Sequence, residues 1–129
     1  MATRTREKGA ARAENRDKRP QAHAKNIRLS SRKAKIVLDL IRGKDADQAL
    51  AILQFTPKAA SPVIYKVLSS AIANAVNNQD MDRSQLYVAE CYANPGPTLK
   101  RYVARSRGSA SPMLKRTCHI SVVLDQKTK

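Results

Sequence analysis

The chain is 129 residues long and carries 25 Lys or Arg against 10 Asp or Glu, a formal net charge of +15. One domain with a real hydrophobic core fits that length, and the basic excess directs attention to polyanionic partners. No apolar run approaches the roughly 20 residues needed to span a bilayer, and two cysteines are too few for a disulfide framework.

The charge is segregated along the chain. Residues 1–35 carry a net +9, residues 36–95 a net −1 and residues 96–129 a net +7. A near-neutral middle between two basic ends reads as a compact body with basic appendages. The start lacks the apolar stretch of a signal peptide. It is Arg-rich like an organelle transit peptide, but Glu7, Glu14 and Asp17 count against that, so a cytosolic protein is expected.

Residues 1–21 form the first unit. Residues 1–20 contain no Val, Ile, Leu or aromatic residue, so they cannot bury apolar area against the entropy of ordering, and a disordered basic tail is expected. Residues 22–129 are expected to form a single globular domain. It begins with a short strand over 22–29. A first helix follows Ser30 or Ser31 as N-cap and runs through Arg32–Arg42, with Ala34, Val37, Leu38 and Ile41 at helical spacing and Gly43 as its stop.

Asp45 and Gln48 are spaced as a capping box for a second helix, with Ala49, Leu50 and Leu53 on its inner face. A third helix is expected from Thr56, with Pro57 at its first position. Val63, Val67, Ala71 and Ala75 make one stripe and Ile64, Leu68, Ile72 and Val76 another, so this helix forms the centre of the core. Pro62 either kinks it or makes it start afresh at Ser61.

The period then changes to two. Gln85–Ala93 reads as a strand with Leu86 and Val88 on one face. In Thr117–Asp125, Cys118, Ile120, Val122 and Leu124 alternate with Thr117, His119, Ser121 and Asp125. Cys91 and Cys118 lie in these runs and read as buried free thiols. Antiparallel strands packed by one face on helices make a two-layer α+β domain.

Between the two strands lies GPTLKRYVARSRGSASPMLKRT, residues 96–117, with six Lys or Arg and no acid. A structureless loop of that length is unusual in a compact domain. Both strands are therefore expected to continue outward as a protruding β-hairpin, each arm about ten residues or roughly 30 Å, turning at Arg107-Gly108-Ser109. Lys100, Arg101, Arg105, Arg107, Lys115 and Arg116 are candidate phosphate contacts, interleaved with Leu99, Tyr102, Met113 and Leu114, which can pack on sugars or unstacked bases.

Arg32, Lys33 and Lys35, beside Lys25 and Arg28, form a second candidate anion surface, since basic residues in a first helical turn are locally unfavourable. His119 is assigned a structural or RNA-contacting role. No second ring nitrogen or carboxylate pair accompanies it, and GxGxxG, P-loop, HExxH and GxSxG patterns are absent, so no catalytic residue, cofactor or metal is expected. Two other readings stand beside an RNA-binding protein. One is an architectural DNA-binding protein with Pro112 and Met113 as a wedge, although the helical core looks sized for one chain and gives no dimer surface. The other is an RNA-cleaving enzyme using His119 with Lys115, which lacks a paired acid and base.

The blocks IRLSSRKAKIVLDLIRGK, FTPKAASPVIYKVLSSAIANAVNN and GPTLKRYVARSRGSASPMLKRTCHISVVL resemble the bacterial large-subunit ribosomal protein family twenty-two of the universal L series, over residues 22–125. The resemblance implies one strand, three helices and two strands, the last two extended into a long hairpin. It implies a constituent of the cytoplasmic ribosome that binds large-subunit rRNA and assists early assembly. Its body would lie near the exit of the polypeptide tunnel and its hairpin would line that tunnel.

Implied partners are that rRNA, neighbouring large-subunit proteins and the nascent polypeptide, with no membrane and no homo-oligomer. The tip residues Arg107, Gly108, Ser109 and Ala110 would face the tunnel, and Leu99-Lys100-Arg101 match the hairpin segment tied in the family to macrolide action. Many members read close to RGRAD at the tip, where this chain has Arg107-Gly108-Ser109-Ala110-Ser111-Pro112.

Overall fold

A computed structural model describes residues 2–15 and 17–127. Helix α1 spans Ala2–Glu14, strand β1 Gln21–Ile27, helix α2 Ser31–Ile41, helix α3 Ala46–Phe55 and helix α4 Ser61–Gln79. Strands β2 (Leu86–Pro95), β3 (Leu99–Ala104), β4 (Ala110–Lys115) and β5 (Cys118–Gln126) follow. Strands β1, β5 and β2 make a three-stranded antiparallel sheet with β5 in the centre, and β3 and β4 make a separate two-stranded sheet. The α+β architecture read from the sequence, β-α-α-α-β-β with a long hairpin, is the one observed over 21–127.

The core lies between the helices and the inner face of the three-stranded sheet. Ile64, Leu68, Ala71 and Ala75 of α4 are fully buried, as are Ala34, Leu38 and Ile41 of α2 and Ile120, Val122 and Leu124 of β5. Val123 is also buried, although it points to the opposite face from Val122 and Leu124. Its register partners are Gln21 and Glu90, and Glu90 takes the Arg19 guanidinium at 2.8 Å. The segment before β1 therefore closes over that end of the sheet.

Three local expectations are corrected. The helix expected from Thr56 and Pro57 begins at Ser61, with Pro62 in its first turn. The ring needs no N–H there, whereas four residues further into a helix it would break the ladder. Thr56 instead ends α3, where its hydroxyl donates to the Ile52 carbonyl at 2.6 Å. Asp45 does precede α3, but its side chain makes no cap hydrogen bond; it pairs with Lys127. Val76 is 37% exposed, since it lies about 100° round the helix from the fully buried Ala75.

The fourth correction concerns residues 1–21, expected to be disordered. Met1 and Arg16 lie outside the described residues. The rest of the first 14 form a helix whose described side chains are all exposed. Lack of apolar residues forbids burial but not local helix, and Ala, Arg, Lys and Glu are good helix formers. Asp17–Gln21 is pinned to the body. Pro20 is fully buried and its carbonyl accepts from Leu124 N–H at 2.9 Å. The Gln79 side chain donates to the Lys18 carbonyl at 2.7 Å and the Asn74 side chain to the Gln21 carbonyl at 3.0 Å.

Cys91 and Cys118 are both free and buried. Burial pushes both thiols above their usual range, so they stay protonated at neutral pH. They are expected to resist iodoacetamide at pH 8 in native buffer and to react together once urea unfolds the body. Leu68→Ala, which empties the centre of the α4 interface, is expected to cost about 3 kcal/mol in urea unfolding.

Candidate nucleic-acid interface

The ribbon formed by β3 and β4 is built by a register that can be followed residue by residue. Leu99 pairs with Lys115, Lys100 with Leu114, Arg101 with Met113, Tyr102 with Pro112, Val103 with Ser111 and Ala104 with Ala110. Alternation then places Leu99, Arg101, Val103, Met113 and Lys115 on one face, and Lys100, Tyr102, Pro112 and Leu114 on the other. Cations and apolar groups therefore occur on both faces. Every β3 residue is exposed, Tyr102 to 73%. No face of this ribbon is turned toward the body's core.

The tip is a short turn of 3₁₀ helix over Ser106–Gly108. Gly108 has φ +71, as the sequence suggested, but Arg107 also takes a left-handed φ of +57. The turn is closed by Arg105 N–H donating to Ser109 O at 2.8 Å, and the Ser109 hydroxyl donates to Ser106 O at 2.9 Å. The strained Arg107 projects its guanidinium from the far end of the ribbon. Arg105 reaches sideways to the Ser111 hydroxyl at 3.2 Å and Arg101 to the Lys100 carbonyl at 2.7 Å.

The root of the ribbon is where the two sheets join. The last β2 pair is Pro95 with Cys118, and Gly96 N–H then donates to Thr117 O at 2.8 Å. The Thr117 hydroxyl donates to the Pro97 carbonyl at 2.5 Å. A Cβ on Gly96 would lie 2.6 Å from Thr117 Oγ1 and 3.2 Å from both Cε1 and Nε2 of His119. The imidazole thus packs against a backbone position that only glycine leaves open. Its Nδ1 accepts the Asn26 N–H at 3.0 Å, which puts the proton of the neutral ring on Nε2.

Asn26 reaches that position through a φ of +56 at an irregularity in the β1–β5 pairing. Arg28 completes the clamp, donating to the Arg116 carbonyl at 2.7 Å. The structure therefore brings together Arg28 from the first sequence block and Arg116 and His119 from the last. Asn26, Gly96 and Thr117 were not among the candidates read from the sequence. Gly96 alone had a signal, as a glycine beside a proline where a strand leaves its sheet.

Lys25 lies exposed on β1 close to this root, and Arg32, Lys33 and Lys35 are exposed in the first turns of α2. Ser30 is the N-cap residue but makes no side-chain cap bond; Lys33 and Ala34 N–H bond to its carbonyl. These body cations are separated from the ribbon tip by the length of the ribbon, so the candidates form a root cluster and an arm rather than one patch. Among the described residues, the ion pairs join Arg19 to Asp17 and Glu90, Arg42 to Asp39, Arg83 to Asp47 and Lys127 to Asp45. None involves a ribbon cation or Lys25, Arg28, Arg32, Lys33 or Lys35. The acids neutralise the body and leave the arm positive.

Among the described residues no group of three or more His, Cys, Asp or Glu is placed to hold a metal ion, and no helix is long and apolar enough to cross a membrane. His119 and Lys115 belong to different parts of the ribbon root, and no described carboxylate hydrogen-bonds the imidazole.

Comparison with known proteins matches residues 22–125 to the family model described as ribosomal protein L22p/L17e. The large ribosomal subunit protein uL22 of Lacticaseibacillus casei is 58% identical over 106 residues, covering 82% of this chain and 91% of that protein. The uL22 of Lactobacillus delbrueckii subsp. bulgaricus is 56% identical over 106 residues, with the same coverage. That of Pediococcus pentosaceus is 56% identical over 107 residues, covering 83% of this chain and 91% of its own.

The root makes a specific prediction. Gly96→Ala is expected to destabilise the protein by about 1–3 kcal/mol, since the new methyl must displace a hydrogen-bonded Thr117 hydroxyl. Adding Thr117→Ala is expected to recover part of that loss, because the two sites are in contact. Urea unfolding of the two single variants and the double variant measures the coupling; additive losses would mean that the contact at the root does not matter.

Proposed function

The chain belongs to the ribosomal protein L22p/L17e family and is a structural constituent of the large ribosomal subunit, and from that premise we propose that it binds large-subunit rRNA through its ribbon and ribbon root. The observation that carries the reading is the ribbon itself. It has six cations, no acid, side chains of both kinds on both faces and no protein surface of its own to rest on. A protein that merely lay on RNA would need cations on one face. A ribbon cationic on both faces is suited to being surrounded by phosphate.

An isolated two-stranded ribbon is marginal in water, and its like charges repel. Folded RNA supplies the missing surroundings: phosphates for Lys100, Arg101, Arg105, Arg107, Lys115 and Arg116, and sugar or base surfaces for Tyr102, Met113 and Leu114. Lys25, Arg28, Arg32, Lys33 and Lys35 extend the same contact onto the body. In this reading His119 acts at the root, holding the angle at which the ribbon leaves the sheet, with one ring edge against Gly96 and Nδ1 on the Asn26 N–H.

The finer reading follows the family resemblance. The protein assists early assembly within the cytoplasmic ribosome, its body lies near the tunnel exit beside neighbouring subunit proteins, and Arg107, Gly108, Ser109 and Ala110 line the tunnel past which the nascent polypeptide moves. No step of this function calls for a cofactor or a catalytic residue; the role is structural rather than enzymatic.

Two measurements test it. Tagged protein is expected to co-sediment with large subunits, and its affinity for large-subunit rRNA to fall steeply with salt. If four to six single-strand-like phosphates are engaged, log K against log[salt] slopes at about −3 to −4. A flat salt dependence would remove RNA binding from the account.

Deletion of Leu99-Lys100-Arg101 tests the tunnel placement. With the root intact, Tyr102 would move into the place of Leu99 opposite Lys115 and turn to the other face, since an odd shift reverses a strand's faces. Strains carrying only this form are expected to assemble subunits, translate and respond differently to macrolides. Unchanged assembly with unchanged drug response would count against the ribbon lining the tunnel.

A further inference from the structure

Helix α1 has no part in the site above. It precedes residue 22, where the family match begins. Its sequence, ATRTREKGAARAE, contains no large apolar residue, and every described side chain from Thr3 to Asn15 is exposed. Its last turn comes near the body, where Ala13 borders a surface groove with Asn74, Asn78 and Gln79 of α4, but no described side chain of α1 is buried there. A helix of this length without buried tertiary contacts is marginal in water, and this one carries Gly9 in its middle and Arg4 and Arg6 in its first turns, all adverse to an isolated helix.

The arrangement of its charges is not uniform. At about 100° per residue, Arg4, Lys8 and Arg12 fall within an arc of about 80° and step along the axis by about 6 Å. Together with Thr5 and Gly9 they border one shallow groove. Glu7 and Glu14 fall within about 20° of each other on a different side. Gly9, about 60° round the helix from Arg12, has no neighbour within 4 Å of where a Cβ would stand, so a ligand backbone can approach the helix closely along that flank of the row.

The helix is also placed. It ends at Glu14, and from Asp17 the chain is fastened by Arg19 to Glu90, by Pro20 under Leu124 and by Gln79 over Lys18. Gln21 pairs with Val123, whereas the ribbon leaves the sheet at Cys118. Five residues of β5, about 17 Å, separate the two exits. The near-neutral body therefore carries one cationic arm at each end of its central strand.

We propose that α1 is a second RNA-binding element, gripping the phosphate backbone of large-subunit rRNA through Arg4, Lys8 and Arg12 at a segment distinct from the one that holds the ribbon. The inference rests on the RNA-binding reading above. The occupant is identified by what the helix lacks. Insertion at a lipid surface requires a broad apolar face, and docking in a protein groove requires apolar anchors at helical spacing; α1 offers neither. Charge in a row, with a gap for backbone approach, suits phosphate. Two arms on one rigid body make the second contact intramolecular once the first has formed, so the arms reinforce one another.

The test uses the full chain and large-subunit rRNA transcribed in vitro, titrated over a salt series. The triple variant Arg4→Gln, Lys8→Gln, Arg12→Gln is compared with wild type and with a charge-matched control, Arg6→Gln, Lys44→Gln, Lys66→Gln. The stripe variant is expected to flatten the slope of log K against log[salt] by about 2, three contacts at about 0.7 each, and to weaken binding at least tenfold in low salt. The control is expected to change the slope by less than about 1.

Amides of residues 4–14 are expected to gain exchange protection when RNA is added to wild type. Urea midpoints should match across all three proteins, since none of the substituted residues is in the core. A steep wild-type slope that the stripe variant leaves unchanged overturns the role of α1 while leaving the ribbon's intact. Equal losses in stripe and control variants overturn the assignment to one face. Stripe variants that bind naked rRNA normally but are lost from subunits would mean that α1 docks on a subunit protein, which also overturns it. A wild-type chain with no salt-dependent binding takes down the RNA reading itself.

Discussion

Strand β5 is hydrogen-bonded to β1 along one edge and to β2 along the other, and its residues Cys118, Ile120, Val122 and Leu124 are fully buried under the helices. Every other part of the molecule takes its position from this strand. Helix α4 lays Ile64, Leu68, Ala71 and Ala75 over it; α2 and α3 fill the flanks. Because β5 is paired on both edges and packed against the core, it cannot slide or turn without exposing Ile120, Val122 and Leu124. The ribbon continues outward from β2 and β5, so its direction is set by the most constrained strand in the protein.

That coupling is made at the root rather than along the ribbon. Gly96 is stripped of a side chain so that Thr117 and His119 can close on it, and Asn26 and Arg28 reach across from β1 to finish the joint. The joint is polar and well hydrogen-bonded, with Thr117 buried at its centre and Asn26, Arg28 and Arg116 exposed around it. It gives a rigid origin to an arm that has no apolar reason to hold any position. A short ribbon of like charges costs electrostatic energy when alone and releases it when phosphates surround it, so the same residues that make the arm marginal in isolation make it effective in a polyanionic setting.

The distribution of acids completes the division of labour. Asp39, Asp45, Asp47 and Glu90 each neutralise a cation in or beside the body, which leaves the body free to pack without self-repulsion. The ribbon keeps its charge because it contains no acid and none of the body's acids pairs with its cations. Segregation of this kind allows one chain to satisfy two opposing demands, a stable core and a high local field.

Periodicity and charge together determined a large part of this protein from its sequence. The apolar stripes of α2 and α4, the alternation of β5 and the acid-free stretch between two strands follow from the pitch of a helix, the pleat of a strand and Coulomb repulsion, all of which are local. Family blocks within residues 22–125 extended that to the strand count and the ribosomal setting. The true start of α4 and the fate of Asp45 were less legible, since Thr56, Pro57, Ser61 and Pro62 offer two equally good local beginnings and only packing of Ile64 against the sheet chooses between them. The anchoring of Asp17–Gln21, the left-handed Asn26, and the meeting of Arg28, Gly96, Thr117 and His119 were decided by tertiary structure alone. Each depends on residues roughly 20 to 100 positions apart being brought within hydrogen-bond reach, and no local pattern encodes a distance that the chain closes only when the whole sheet has formed.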